Sequence, residues 1–198
     1  SINVFGTGNG NQGQLGVHLD GRPVPAGANS DGTVLTLQSA TATSLNLAGT
    51  GNAAVVGNAQ DNTLVGNDGD NRLVGGAGAD ELRGGLGADV LIGGDGDDVL
   101  YGGLPGGGDD GAADTFRIGA DDTGTDTIRD FGAGDVIDLS DVVSGDGPSE
   151  LVLSDDGGGN ATVAHTSAPS DALVVVEGIS SASLTVDPDG NVTLSSTS

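Results

Sequence analysis

The sequence predicts an all-β fold, a parallel β-roll flanked by small β-rich caps, and three observations predict it. The chain repeats itself every nine residues, six times in succession, between Ala48 and Tyr101. Glycine accounts for 39 of 198 residues without the triplet period of collagen, which is typical of repeats and turns. Only three Phe, one Tyr and no Trp are present, which excludes a large aromatic core.

The N-terminal segment, residues 1–46, is predicted to be a small β element that pairs with or caps the start of the roll. Its apolar stretches are short and separated by Asp-Gly turn signals, and they cover residues 2–5, 15–19 and 34–37. A carbohydrate-binding β-sandwich is the alternative for this segment. Its length favours a structural cap.

The roll is predicted over residues 47–117, and its eighth repeat position supplies the core. That position is aliphatic in all six blocks: Val55, Leu64, Leu73, Leu82, Leu91 and Leu100. One block cannot bury its own apolar face, but stacked blocks form a continuous aliphatic ladder. Since two blocks make one full turn of a β-roll, successive blocks lie on opposite sides.

The sixth repeat position predicts calcium binding in the turns. It reads Ala53, Asn62, Asn71, Asp80, Asp89, Asp98. Calcium takes six to eight oxygens from carboxylates and backbone carbonyls, and a glycine-rich turn with one Asp supplies both. Asp80 and Asp98 are expected on one edge and Asp89 on the other. A solvated linker would not keep the aliphatic position in register.

Several calcium ions are therefore expected. The candidate ligands in the repeats, through side chains or backbone carbonyls, are Asn62, Asn71, Gly75, Ala77, Asp80, Gly84, Leu86, Asp89, Gly93, Asp95, Asp97 and Asp98. Ala53 has no ligating side chain, and Asn62 and Asn71 offer only a neutral oxygen. The first turns are therefore expected to stack with little or no calcium.

After an insertion that begins at Leu104, the register resumes with Asp114 at position six and Phe116 at position eight. Phe116 is predicted to plug the end of the ladder, and Asp109 and Asp110 to close the last calcium turn. Residues 118–198 are predicted to form a β-rich C-terminal cap. Its expected strands lie within 125–131, 134–140, 151–153, 161–163, 173–176 and 183–186.

The acidic composition indicates cations as partners and argues against nucleic acid and anionic membranes. The formal charge of −24 comes from 29 acidic residues against five Arg and no Lys, so the chain repels itself and is expected to fold poorly without cations. Nucleic acid and anionic membranes require basic patches, and no apolar run is long enough for a membrane helix. No cysteine is available for disulfides, so calcium would take their place.

An enzyme is not expected. The chain has two histidines, His18 and His165, and no Cys, and it contains neither a HExxH helix motif nor a GxSxG elbow. Without lysine, a phosphate-binding P-loop is excluded. Both histidines are interpreted as solvent-facing strand residues.

The repeats, together with the segments 113–116, 125–131 and 134–140, resemble the C-terminal region of RTX (repeats-in-toxin) proteins exported by type I secretion. Similar tails end serralysin-like proteases, lipases and large adhesins, and the stretch 173–179 is similar to the target domain of the adhesins. The resemblance covers roughly residues 45–198. It implies a right-handed parallel β-roll, several calcium ions and an uncleaved C-terminal signal for the type I secretion apparatus. It also implies Asp126 as a further ligand, with a solvated strand residue as the alternative.

Two functions remain open. The first is a secreted or cell-surface structural protein that folds on calcium and self-assembles in a matrix, filament or surface layer; the small first residue, Ser1, is consistent with a complete protein. The second is a folding, secretion or ligand-binding module of a larger adhesin or enzyme. A weaker third idea makes residues 1–46 a binding element for cell-surface glycans.

Overall fold

The computed structural model of the chain describes residues 2–5, 34–36, 44–48, 50–104, 106, 108–143, 150–167 and 172–195. The predicted apolar stretch at 15–19, with His18, lies outside them. The described residues form one 3-10 turn at Ser181–Ser183 and the following strands: β1 (Ile2–Phe5), β2 (Val34–Thr36), β3 (Ser44–Ala48), β4 (Ala53–Val56), β5 (Thr63–Val65), β6 (Asn71–Ala77), β7 (Glu81–Arg83), β8 (Val90–Asp95), β9 (Val99–Tyr101), β10 (Thr115–Arg117), β11 (Asp126–Ile128), β12 (Val136–Asp138), β13 (Leu151–Asp155), β14 (Ala161–His165), β15 (Ala172–Val176), β16 (Leu184–Val186) and β17 (Asn191–Leu194).

The chain coils between two sheets, and the predicted all-β parallel β-roll is confirmed. Sheet A has nine strands in the order β1-β3-β5-β7-β9-β11-β15-β14-β13, and sheet B has eight in the order β16-β17-β12-β10-β8-β6-β4-β2. From β1 to β12, odd strands join sheet A and even strands join sheet B. Each full coil therefore uses two nine-residue blocks.

The core consists of two stacked ladders, one per sheet. The eighth repeat position supplies the repeat part of each ladder, and residues outside the six blocks extend both ladders. In sheet A the paired residues are Leu45, Leu64, Leu82, Leu100, Ile128 and Val176. In sheet B they are Val55, Leu73, Leu91, Phe116, Ile137 and Val192. All are almost completely buried. Since each fully buried aliphatic side chain contributes about 1.5–3 kcal/mol, the ladders are the main apolar source of stability.

The prediction that Phe116 ends its ladder is wrong. Phe116 lies between Leu91 and Ile137, because β12 adds a further parallel strand next to β10. Its ring packs against Phe131, with ring centroids 6.1 Å apart. The insertion thus interrupts the repeat in sequence but not the stacking.

At the N-terminal side, β1 pairs in parallel with β3 and β2 pairs in parallel with β4. The described strands of segment 1–46 therefore continue the two sheets of the roll. The predicted division of the chain at 46/47 and 117/118 stays a prediction. Parallel pairing continues across the second boundary as far as β15 in sheet A.

The C-terminal part closes both sheets with antiparallel strands. β15 pairs with β11 in parallel and with β14 in antiparallel orientation, and β14 pairs antiparallel with β13. β16 and β17 form a hairpin that pairs with β12. The sequence analysis did not predict β17. In the described residues, no helix has the length and apolar character needed to cross a membrane.

Candidate metal centre

The turns of the roll line up along two edges. At the first edge the chain passes from sheet B to sheet A, through turns 57–62, 75–80, 93–98 and 118–125. At the second edge it passes from sheet A to sheet B, through turns 66–71, 84–89, 102–114 and 129–135. The last residue of each repeat turn, at position six, lies directly before or at the start of the next strand. Its side chain is therefore held by the register of the sheet.

At the first edge, the position-six carboxylates form a ladder of hydrogen bonds between coils. Oδ1 of Asp80 accepts from the backbone N–H of Asn62 at 2.6 Å, and Oδ1 of Asp98 accepts from the N–H of Asp80 at 2.7 Å. Asp126 continues the ladder by accepting from the N–H of Asp98 at 3.2 Å. Asp126, predicted only through the family resemblance, thus occupies the same column as the repeat aspartates.

The second edge repeats this arrangement. Asp89 accepts from the N–H of Asn71 at 2.6 Å, and Asp114 accepts from the N–H of Asp89 at 2.8 Å. Asp135 accepts from the N–H of Asp114 at 2.9 Å. The predicted separation of Asp80 and Asp98 from Asp89 matches the two edges.

The second oxygen of most of these carboxylates has no protein partner. The position-six residues from Asn62 to Asp135 are only 1–3% exposed. Yet Oδ2 is buried without a hydrogen bond in four of them: Asp80, Asp89, Asp98 and Asp126. A buried carboxylate oxygen without a donor is costly. These atoms are therefore suited to a cation.

Glycine at the first repeat position leaves space beside three of these oxygens, those of Asp80, Asp89 and Asp98. A Cβ on Gly84 would overlap both Oδ2 of Asp89 and the carbonyl oxygen of Gly102, one coil further on. A Cβ on Gly75 would likewise overlap Oδ2 of Asp80 and lie 2.6 Å from the carbonyl oxygen of Gly93. Carboxylate and carbonyl oxygens of successive coils thus converge where only glycine fits.

Burial makes these carboxylates hold protons unusually tightly when no cation is bound. It raises the pKa of Asp80, Asp89 and Asp114 to about 7, against an ordinary value of 3.8. The pKa of Asp98 rises to about 6 and that of Asp126 to about 8, again chiefly through burial. Neighbouring carboxylates add to the rise, whereas the backbone N–H bonds oppose it.

The donor set is that of a hard cation bound by mixed ligands. Within the described residues, no three His, Cys, Asp or Glu side chains gather into one metal site. Backbone carbonyls would therefore supply most of the coordination shell, with one or two carboxylates per ion. Calcium accepts such a shell and tolerates its irregular geometry, so the residues fit Ca²⁺.

The other predicted ligands lie in or beside these turns. Gly75, Gly84 and Gly93 line the converging oxygens, and Ala77 and Leu86 donate their N–H groups to the preceding coil. Asp95, Asp97 and Asp109 are exposed, and the structure does not bring them into the buried columns. Each has an oxygen engaged in a hydrogen bond: with Thr123, with Thr125 and with Gly111, respectively.

Three acidic residues at the edges were missed by the sequence analysis. Asp135 is followed two positions later by the aliphatic Ile137, just as Asp89 is followed by Leu91. That pattern could have identified Asp135. Asp130 accepts from the N–H groups of Gly102 and Gly103, both at 2.9 Å. Asp122 has a buried, unpartnered Oδ2 but lies outside the nine-residue register, so the repeat gives no signal for it.

Comparison with known proteins identifies the repeats. The family model for the RTX calcium-binding nonapeptide repeat (4 copies) matches residues 47–82 and 74–104. No curated protein matches the chain. No solved structure matches it either. The family match covers the turns with converging oxygens from 57–62 to 93–98, and it supports calcium as their ion.

Proposed function

The chain carries RTX calcium-binding repeats, and we propose that it is a secreted structural protein that folds on calcium outside the cell and then assembles with copies of itself. The observation that carries this proposal is the column of buried carboxylates on each edge, in which the Oδ2 atoms of Asp80, Asp89, Asp98 and Asp126 have no protein donor. Calcium supplies the missing positive charge.

Folding and calcium binding are coupled by electrostatics. The formal charge of −24 opposes compaction, and the roll must bury several carboxylates that lie close to one another. The sites join successive coils, so they do not exist in the unfolded chain, and binding energy becomes folding energy. Sites of extracellular modules bind calcium at about 10⁻⁴–10⁻³ M, which the outside of a cell provides and the cytosol does not.

Secretion follows from the same chemistry. Proteins with RTX repeats are typically secreted, and an unfolded acidic chain in low calcium can be threaded through a type I apparatus. The C-terminal strands β13–β17 close both sheets, so a secretion signal in this region would remain attached to the folded roll. We place the mature protein outside the cell or on its surface.

The ends of the sheets favour self-assembly. In the described residues, β1 and β2 are the outermost strands at the N-terminal side of the roll, while β13 and β16 are outermost at the other. Outermost strands carry backbone groups available for pairing with another chain. Calcium reduces the net repulsion between copies, so assembly is expected only when the metal is present.

A calcium titration followed by circular dichroism and light scattering tests the proposal. We expect a coil-to-β transition in the submillimolar to millimolar range, reversed by chelator, with scattering that rises at high protein concentration. A folded chain that stays monomeric in millimolar calcium would rule out assembly while leaving calcium-coupled folding intact.

The second candidate is a module of a larger RTX protein. It is favoured by β1 and β2, which extend both sheets of the roll at the N-terminal side and present a surface on which further coils can stack. A reading frame that continues upstream of Ser1 into an adhesive or catalytic domain would favour this candidate over independent assembly.

A further inference from the structure

The two turns that precede the repeats with Asp at position six differ from them at two positions together. Turns 57–62 and 66–71 carry Asn at position six and also Asn at position two, where turns 75–80, 84–89 and 93–98 carry Gly. The position-two glycines have positive φ, for example +105° at Gly94. A Cβ on Gly94 would overlap the carbonyl oxygen of Gly76. Asn at this position instead brings a side-chain amide into the turn.

In turn 57–62, the two asparagines bind each other. The backbone N–H of Asn58 donates to Oδ1 of Asn62 at 2.8 Å, and Nδ2 of Asn62 donates to Oδ1 of Asn58 at 3.2 Å. Oδ1 of Asn58 also accepts from the N–H of Gln60 at 2.9 Å. The side-chain amide of Asn62 thus finds its hydrogen-bond partners within its own turn. In the later turns, Oδ2 of Asp80, Asp89 and Asp98 has no donor.

Turn 66–71, on the other edge, is held by the donor groups of its amides, whereas Oδ1 of Asn71 is buried without a hydrogen bond. Nδ2 of Asn71 donates to Oδ1 of Asn67 at 3.0 Å and to the backbone carbonyl of Gly69. Oδ1 of Asn67 accepts from the N–H of Gly69 at 2.9 Å, and its Nδ2 reaches the carbonyl of Gly51 at 3.0 Å. The amide hydrogens therefore point at turn oxygens that a cation would otherwise neutralise.

We infer that Asn58 with Asn62, and Asn67 with Asn71, determine which turns take calcium: these pairs hold their turns with amide hydrogen bonds, and one full coil of the roll needs no metal, because the buried oxygen left without a donor, Oδ1 of Asn71, carries no charge. An amide carries both a donor and an acceptor without charge, whereas a carboxylate only accepts. Turn 57–62 lies on the first edge of the roll and turn 66–71 follows it on the second edge. Together they form a coil without a carboxylate at position six, against which the first calcium-dependent turns stack.

The coil with Asn at position six is joined to the calcium-dependent part by the same backbone ladder. The N–H groups of Asn62 and Asn71 are the donors to Asp80 and Asp89. Replacing the metal by amides therefore preserves the register between coils. This inference rests on calcium binding by the later turns but not on secretion or assembly.

The sequence offers a direct test in two variants of the full chain. The double variant N67G/N71D changes turn 66–71 to Gly-Gly-Asp-Gly-Asp-Asp, the same six residues as turn 93–98. The variant N71A removes the amide without adding a carboxylate. The bound calcium per chain is measured by equilibrium dialysis and isothermal titration for the parent and both variants.

We expect N71A to bind the same number of calcium ions as the parent and N67G/N71D to bind at least one more. Loss of an ion in N71A would show that Asn71 ligates calcium and would overturn the inference. A folded double variant with unchanged stoichiometry would overturn it as well. If the double variant does not fold, N71A alone decides. A parent that binds no calcium would instead refute the proposed function, so the two failures are distinguishable.

Discussion

The backbone N–H of Asp89 donates to Oδ1 of Asp114 at 2.8 Å, although 25 residues separate the two. The equivalent bond between Asp80 and Asp98 spans 18 residues. The residues inserted after Tyr101 are therefore looped out of the turn, and β10 still pairs with β8. The carboxylate column and the buried ladder, rather than sequence spacing alone, keep the coils in register.

Removing the charge of one buried carboxylate should weaken calcium binding strongly. Asp89→Asn keeps the size of the side chain and an oxygen for the N–H of Asn71, but it loses the negative charge of Oδ2. Since the number of charged ligands tunes calcium affinity, we expect the calcium midpoint for folding to rise about tenfold, equivalent to roughly 1.4 kcal/mol. Circular dichroism during a calcium titration measures this midpoint.

Asp70→Asn is the matched control for this prediction. Asp70 lies on the same edge but is exposed, and its Oδ1 accepts from the N–H of Ala88 at 3.1 Å. The control should shift the midpoint only slightly. Equal shifts in the two variants would mean that net charge, rather than the buried column, controls binding.

Filling the space beside a carboxylate should have a similar effect without changing any charge. In Gly93→Ala the new methyl group would overlap Oδ2 of Asp98. The carboxylate must then move away from the converging carbonyls, so we expect a several-fold higher calcium midpoint and a less stable calcium-bound fold. Thermal unfolding in excess calcium measures the second effect.

Gly119→Ala serves as the comparison, because a Cβ at Gly119 would meet nothing within 4 Å. It should leave the midpoint almost unchanged. If both alanine variants raised the midpoint equally, general loss of backbone flexibility in the unfolded or folded chain would explain the effect better than crowding of the site.

Asp122 is predicted to contribute to the last site of the first edge. Its Oδ2 is buried without a donor, as are those of Asp98 and Asp126 in the same edge. Asp122→Asn should therefore raise the calcium midpoint or remove one bound ion, as measured by isothermal titration. Asp121→Asn changes an exposed neighbour and should do neither. If Asp122→Asn has the same calcium midpoint and the same number of bound ions as the parent, Asp122 does not bind calcium and has a role only in the structure of its turn.

The repeat allowed most of the roll to be predicted, because position eight fixes which side chains face inward and position six fixes which face the turns. Leu64 and Leu82, and Asp80 and Asp98, needed nothing more than the nine-residue period. The end of the roll was not predictable in this way. Phe116 was expected to end its ladder, but Ile137 and Val192 extend it through strands that do not follow the repeat.

The site was predicted less completely than the ladder. Asp135 and Asp122 are brought to the edges by turns of irregular length, so a fixed period cannot find them. Conversely, Asp95 and Asp97 share the turn of Asp98 but are exposed and bond to Thr123 and Thr125 instead of joining the buried column, since adjacent positions in a turn face different directions. The pairing of Asn67 with Asn71 likewise requires the three-dimensional turn.

The last prediction concerns pH in the absence of calcium. Burial raises the pKa of Asp80, Asp89 and Asp114 to about 7 and that of Asp126 to about 8 in the folded roll, whereas the unfolded chain has values near 3.8. Between these limits the folded chain binds more protons than the unfolded chain, so stability falls as pH rises. The calcium-free roll should therefore be least stable above pH 8 and gain stability down to about pH 4.

Circular dichroism of the chelated chain between pH 8 and pH 4 measures this effect, and we expect β structure to increase as the pH falls. Protons and calcium compete for the same oxygens, so the affinity of the folded roll for calcium should fall as the pH falls over the same range. The variant D80N/D89N removes two of the responsible groups and should show a smaller gain on acidification. A chain that loses structure from pH 8 to pH 4 would contradict the burial of these carboxylates in the calcium-free roll.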